Sequence, residues 1–150
     1  ARILRELGTP CLIHQVMYSM FERTPEEALL DTLEENGIGC ITFSPLAQGM
    51  LTNKYVKGIP SDSRAAKGMT YLEMEQVEEK LPTIQALHRI AERRGQTLAQ
   101  MAIVWLLKDP RITSVLIGAS SPKQILENVA AVEKMAFSEE EIQEIEAILG

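Results

Sequence analysis

Three short apolar segments constrain this fold most, because none of them alternates polar and apolar residues. Cys11-Leu12-Ile13 follows Pro10 and leads to a strand ending near Gln15. Ile38-Gly39-Cys40-Ile41-Thr42-Phe43 runs into Ser44-Pro45, and Thr113 to Ile117 is closed by Gly118. Each is too brief for a helix and is bounded by proline or glycine, so each reads as a strand. A strand with one wet face alternates; an unbroken apolar run is buried on both faces, as in parallel sheets.

Helical patterns fill the spaces between them. Residues 1–7 place Ile3, Leu4 and Leu7 at helical spacing before Gly8, so the chain is expected to start inside a fold, at the end of a helix. Thr24-Pro25-Glu26-Glu27 predicts an N-cap, a proline at the first position and acid in the first turn of a helix ending at Asn36-Gly37. Residues 52–80 are irregular, with Gly58, Pro60, Ser61, Asp62, Ser63 and Gly68, and long ordered loops of this kind usually carry function. A helix is expected over 82–94, with Ile84, Leu87, Ile90 and Ala91 on one face. Thr97 and Gln100 form a capping box for another, Leu98 to Leu107. Ser121-Pro122-Lys123-Gln124 opens a helix to about Val132, and Ser138 caps a final one carrying Ile142, Ile145, Ile148 and Leu149.

Strand and helix thus alternate three times, which is an α/β fold with a parallel sheet. An open doubly wound sheet and a section of a (β/α)8 barrel both produce this pattern, and the chain's 150 residues fall well short of the roughly 250 of a whole barrel. With 45% hydrophobic and 24% charged residues the composition is that of a soluble globular domain. The net charge of −6 argues against nucleic acid, whose phosphates require a basic face. No apolar stretch approaches the roughly 18 residues needed to cross a bilayer, and no signal peptide opens the chain, so no membrane partner is expected. Cys11 and Cys40 show neither metal-ligand spacing nor a disulfide framework, and read as two buried thiols in a reducing cytoplasm.

Ligands of parallel α/β folds bind at the carboxyl ends of the strands. Gln15, at the first end, offers donor and acceptors suited to a carboxamide, or bonds to neighbouring backbone instead. Phe43, at the second, presents a ring to a flat heterocycle or belongs to the core. The third end joins Gly118 to a small-residue turn and a helix N-terminus, a ready anion site to which Ser120 adds a hydroxyl. Gln124, Glu127 and Asn128 follow where an adjoining base would lie, although Ser121 and Gln124 also suffice as a plain helix cap. Lys54 and Arg64 are cations of the irregular segment, placed to clamp a phosphate or simply to be solvated. Neither a dinucleotide-binding glycine fingerprint nor a Walker loop occurs.

These segments resemble the aldo-keto reductases. Ser44-Pro45-Leu46-Ala47-Gln48-Gly49, followed by Leu51-Thr52-Asn53-Lys54-Tyr55 and Gly58-Ile59-Pro60, resembles the seventh-strand segment of that family. Val115 to Asn128 resembles its eighth strand and following helix, and His14-Gln15-Val16-Met17-Tyr18-Ser19 its sixth-strand motif. The resemblance covers essentially all 150 residues. It is strongest to two branches, the bacterial L-glyceraldehyde 3-phosphate reductases and the voltage-gated potassium channel beta subunits, with Gln48 and Ala99-Gln100-Met101-Ala102 leaning toward the first.

The resemblance implies that the chain is the C-terminal part of a TIM (β/α)8 barrel, strands six to eight with their helices, without the N-terminal half. It implies NADPH as cofactor. Gln15 would hold the nicotinamide carboxamide and Phe43 would stack on its ring. The turn Ser44, Pro45, Leu46, Ala47, Gln48 and Gly49 would follow the pyrophosphate and ribose, and Lys54 and Arg64 would belong to the loop over the cofactor. Gly118, Ser120 and Gln124 would lie at the adenosine 2′-phosphate and ribose, with Glu127 and Asn128 on the adenine. Asn53 departs from the family, where glycine commonly precedes the lysine. The complete protein would reduce small aldehydes or ketones in the cytoplasm, as a monomer or homo-oligomer. The family's catalytic Asp, Tyr, Lys and His come from the first half of the barrel. None of Tyr18, Tyr55 or Tyr71 matches the tyrosine motif, so no catalytic residue is assigned and the chain alone is expected to be inactive. A nucleotide-binding regulatory subunit of the channel type, or an inactive fragment, are the alternatives.

Overall fold

The computed structural model describes residues 1–58 and 74–150. Among them three parallel strands form one sheet: β1 (Ile13–Met17), β2 (Gly39–Phe43) and β3 (Ile112–Val115), in the order β1-β2-β3. The helices are α1 (Arg2–Glu6), α2 (Leu29–Glu35), α3 (Met74–Arg93), α4 (Leu98–Leu107), α5 (Pro122–Val129) and α6 (Glu139–Leu149). None of them is long and apolar enough to cross a membrane.

Register fixes which residues share a face. Ile13, Gln15 and Met17 pair with Gly39, Ile41 and Phe43, while His14 and Val16 pair with Cys40 and Thr42. The second set faces the helices. Cys40 and Thr42 are fully buried, and Val16 and Val115 pack against a core built from Leu87, Ile90, Met101, Trp105 and Ile145. The first set is largely uncovered, with Ile13, Gln15, Met17 and Phe43 all exposed. Burial on both faces, expected from the missing alternation, is therefore found on one face only. The apolar residues of the other face meet no described element. A doubly wound sheet would carry helices on both sides; this one carries them on a single side, as a barrel wall does.

Between β2 and β3 the register slips at Cys40/Ile41. The extra residue, Thr113, turns its Oγ1 to accept the Cys40 N–H at 3.1 Å. A Cβ on Gly39 would meet that oxygen at 3.0 Å, so a larger residue opposite the bulge would have to push the Thr113 side chain aside by a few tenths of an ångström.

Several boundaries differ from expectation. β1 begins at Ile13 and runs to Met17, two residues past Gln15, with Gln15 and Met17 on the uncovered face. Thr24 caps no helix: Thr24–Glu26 is a short 3-10 turn, and α2 starts only at Leu29. The helix expected over 82–94 already runs from Met74, with Pro82 inside it. α5 stops at Val129 and tightens into a 3-10 turn over Ala130–Lys134. The expected capping box of Thr97 with Gln100 is present, and Ser138, expected as a cap, forms a second box with Glu141. Cys40 is buried as expected and its burial pushes the thiol pKa up, whereas Cys11 is only half-buried.

Candidate nucleotide-binding cleft

The carboxyl end of β2 enters a turn held by unusual backbone. Ser44, Ala47 and Gln48 all have left-handed φ, at 57°, 45° and 57°, although none is glycine. Such conformations cost on the order of 1–3 kcal/mol each and persist where surrounding contacts enforce them. Here Ala47 N–H donates to the Ser44 carbonyl at 3.0 Å, and the N–H groups of Gly49 and Leu51 both donate to the Leu46 carbonyl, at 2.8 and 3.1 Å. Pro45 is buried beneath. The chain then continues through Thr52, whose hydroxyl donates to the Gly49 carbonyl at 2.7 Å and accepts the Lys54 N–H at 3.2 Å. Asn53 reaches further: its Oδ1 accepts the N–H of Leu98, the first residue of α4, at 3.2 Å.

The carboxyl end of β3 lies beside this turn because the strands are paired and parallel. Past Gly118, Ser120 donates to Gln124 Oε1 twice, from its N–H at 2.8 Å and from its hydroxyl at 3.1 Å. Ser121 Oγ accepts the Gln124 N–H at 3.4 Å and so caps α5. The plain-cap reading is thus correct for Ser121, while the side chain of Gln124 turns away to Ser120.

Together these two ends and the first turn of α4 enclose a cavity of about 660 Å³, within the size range of small-molecule sites. Of the residues singled out in the sequence, Leu46, Gln48, Gly49, Lys54, Gly118, Ser120, Gln124, Glu127 and Asn128 line it together. Asn128 is only 9% exposed and borders the cavity from α5. Ser44, Pro45 and Ala47 shape the turn behind the wall without lining the cavity. Gln15 and Phe43 are not in it; they stand on the uncovered sheet face, Phe43 37% exposed. Arg64 lies outside the described residues, as does Tyr71. Thr52, Asn53, Tyr55, Thr97, Ala99 and Ala119 also line the cavity and were not singled out as ligand contacts. Of these, only Asn53 carried a signal, as a departure from the family pattern.

A larger cavity of about 860 Å³ lies at the opposite end of β3, beside Lys108, Asp109, Arg111 and Phe137. Its charges already satisfy one another. Arg111 pairs with Asp109 at 2.6 Å and with Asp31, and Lys108 stacks over Trp105 at 4.2 Å. It also sits at the amino ends of the strands, away from where parallel sheets bind ligands.

Tyr18 is not placed to give up a proton. Tyr18 is buried and its hydroxyl donates to Glu26 at 2.7 Å; burial first, and that carboxylate second, push its pKa far above the ordinary phenol value. No group of side chains among the described residues could hold a metal ion.

Residues 1–150 match the aldo/keto reductase family profile. The chain is similar to an L-glyceraldehyde 3-phosphate reductase of Escherichia coli K12, 48% identical over 151 residues, which is 96% of this chain and 43% of that protein. It is 47% identical, over the same shares, to the protein of that name from Escherichia coli O157:H7. Among solved structures it resembles a thermostable aldo-keto reductase crystallised with the inhibitor epalrestat. That match has a TM-score of 0.69 at 24% identity and covers 98% of this chain and 43% of the other. The chain therefore spans about 43% of the length of these curated relatives.

Proposed function

The chain belongs to the aldo/keto reductase family, and from that premise we propose that it forms strands six to eight of a (β/α)8 barrel and binds NADPH for the reduction of a small aldehyde or ketone. In this reading β1, β2 and β3 are those three strands, and the uncovered face of the sheet is the barrel interior. The identity to proteins named L-glyceraldehyde 3-phosphate reductase favours a phosphorylated or similarly small polar aldehyde as substrate. The same identity favours an enzyme over a regulatory subunit, and a cytoplasmic one that acts without nucleic acid or membrane.

One observation carries the proposal: the turn after β2 and the turn and helix after β3 meet around one cavity, lined with polar groups from Gln48, Lys54, Ser120, Gln124, Glu127 and Asn128. NADPH, when bound, supplies the hydride. The chain's own residues bind and orient it. Glu127 and Asn128 would take the adenine edge. Ser120, Gln124 and the N-terminus of α5 would take the adenosine 2′-phosphate, a dianion suited to free N–H groups and the positive end of a helix. Leu46, Gln48 and Gly49 would border the pyrophosphate on a turn pre-set by its left-handed residues. Lys54 adds a cation at the rim, and Arg64 would join it. Phe43 and Gln15, neighbours on the uncovered face, would stack on the nicotinamide and hold its carboxamide.

Titrating NADPH and NADH into the chain tests the placement. NADPH is expected to bind more tightly, and the double variant Ser120→Ala, Gln124→Ala to weaken NADPH about tenfold or more while changing NADH far less, since charge-assisted bonds contribute about 1.5–3 kcal/mol. Equal losses for both nucleotides would remove the 2′-phosphate from this end of the cavity.

A further inference from the structure

The cavity has two walls from distant parts of the chain, and both are tied to the same short piece of helix. On one side Asn53 Oδ1 accepts the Leu98 N–H at 3.2 Å, fastening the turn that presents Lys54 to the start of α4. On the other side Gln100 Nε2 donates to the Glu127 carbonyl at 2.7 Å, fastening α5 at the residue next to Asn128. The two bonds leave α4 only two residues apart. Gln100 serves double duty, since its Oε1 also accepts the Thr97 N–H at 2.9 Å and closes the capping box.

Leu98 is fully buried, so its N–H needs a protein acceptor, and Asn53 supplies it from the cavity wall rather than from α4 itself. The Thr97 hydroxyl already accepts the Gln100 N–H. What the extra bonds do is set the width of the cleft. A turn carrying three left-handed residues and a helix beginning in a small-residue loop would otherwise meet only through side-chain packing. We propose that Asn53 and Gln100 are positioning residues, which clamp the two walls of the nucleotide cleft onto the first turn of α4 and thereby set its affinity for the adenosine end of the ligand. The inference rests on the nucleotide reading of the cavity and adds to it two residues that act through the Leu98 N–H and the Glu127 carbonyl.

The chemistry of the two amides allows the tie to be cut without unfolding the helix. Gln100→Glu keeps an acceptor for the Thr97 N–H, so α4 stays capped, and replaces the donor to Glu127 by an oxygen that the Glu127 carbonyl repels. Asn53→Asp keeps the acceptor for Leu98, whereas Asn53→Ala removes it. Each acidic variant adds one carboxylate near the cleft, so charge repulsion is common to both, and high ionic strength screens it. Ser138→Ala removes a cap of the same kind from α6 and controls for stability alone.

The probe is 2′,5′-ADP, titrated calorimetrically into the whole chain at high salt, with amide hydrogen exchange at Leu98 alongside. Asn53→Ala and Gln100→Glu are expected to weaken binding by roughly five- to tenfold, the size of one lost hydrogen bond. Asn53→Asp should bind like the parent and keep Leu98 protected, and Ser138→Ala should lower Tm with affinity unchanged. If Asn53→Ala and Gln100→Glu bind as tightly as a parent that does bind, the clamp is wrong and the nucleotide cleft stands. If Asn53→Asp is as weak as Asn53→Ala, retaining the bond does not rescue binding, and the clamp is equally overturned. A parent that fails to bind 2′,5′-ADP removes the nucleotide reading itself, and the positioning role with it.

Discussion

Arg94 shows how far a residue's role can depart from its look in the sequence. Arg93 and Arg94 stand side by side at the end of α3, and Arg93 is paired on the surface with Glu144. Arg94 is instead 1% exposed. It donates to Gln96 Oε1 at 2.8 Å, to the carbonyls of Lys134 and Ala136 at 3.2 and 3.0 Å, and to Glu141, with its plane 3.8 Å from the centre of the Phe137 ring. A planar fork of five donors suits such a site and an ammonium does not. Through it the end of α3, the stretch before α6 and the first turn of α6 are held together. Breaking a buried pair of this kind costs about 3–5 kcal/mol, so Arg94→Met should lower stability by roughly 3 kcal/mol, and Arg94→Lys should recover little of it. Chemical denaturation checks this; a loss under about 1 kcal/mol would mean that the carbonyls find water instead. Nothing local in the sequence marks Arg94, because its partners other than Gln96 are 40 to 47 residues away. Asn53 was visible only as an oddity for the same reason, since its partner is 45 residues on.

At the scale of elements, legibility followed the range of the cause. The starts of α4, α5 and α6 could be read directly, because their caps are Ser or Thr three residues from the N–H that they satisfy. Thr24-Pro25-Glu26 has the same local grammar and does something else. Its Glu26 is drawn to Arg23, at 2.6 Å, and to Tyr18, and Arg23 continues to Glu146 on α6. Tertiary ion pairs thus override a helix start. A second such tie, Arg111 with Asp109 and Asp31, joins the entry of β3 to α2. These ties set the acid limit of the fold. Burial alone would lift the Glu26 pKa, but the bonds from Arg23 and Tyr18 outweigh it and hold it below its ordinary 4.5. The Arg111 guanidinium holds Asp109 below its ordinary 3.8. Carboxylates depressed in the folded state contribute stability that is full above their unfolded values and is lost as pH falls through the folded ones. Tm should accordingly be flat near neutrality with respect to these groups and fall below about pH 4. Asp109→Asn should lower Tm at pH 7 and make the acid limb shallower. An acid limb of unchanged slope in that variant would assign the transition to other carboxylates.

At the scale of the molecule, the pattern of three unbroken apolar strands was legible as a parallel sheet, but not as one covered on a single face, because nothing local says which face receives helices. The structure settles that by covering one side. The other side leaves Ile13, Met17, Phe43 and Leu116 exposed, and β1 and β3 each pair along one edge only among the described residues. Open parallel edges beside an apolar face are a template for association. The purified 150-residue chain should therefore sediment as oligomers or aggregate, and dissociate when apolar contacts are weakened by low concentrations of urea. Chemistry points the same way for activity. Hydride delivery to a carbonyl needs a proton donor at the oxygen. Tyr18 is buried against Glu26 with its proton held tightly, and Tyr55 is buried in the wall of the cleft. The chain alone should then bind nucleotide without oxidising it. Following NADPH absorbance with a panel of small aldehydes, while light scattering reports the state of association, puts both expectations to one test. Steady turnover by a monodisperse monomer would contradict them together: it would require a proton donor within these 150 residues and an uncovered sheet face that tolerates water.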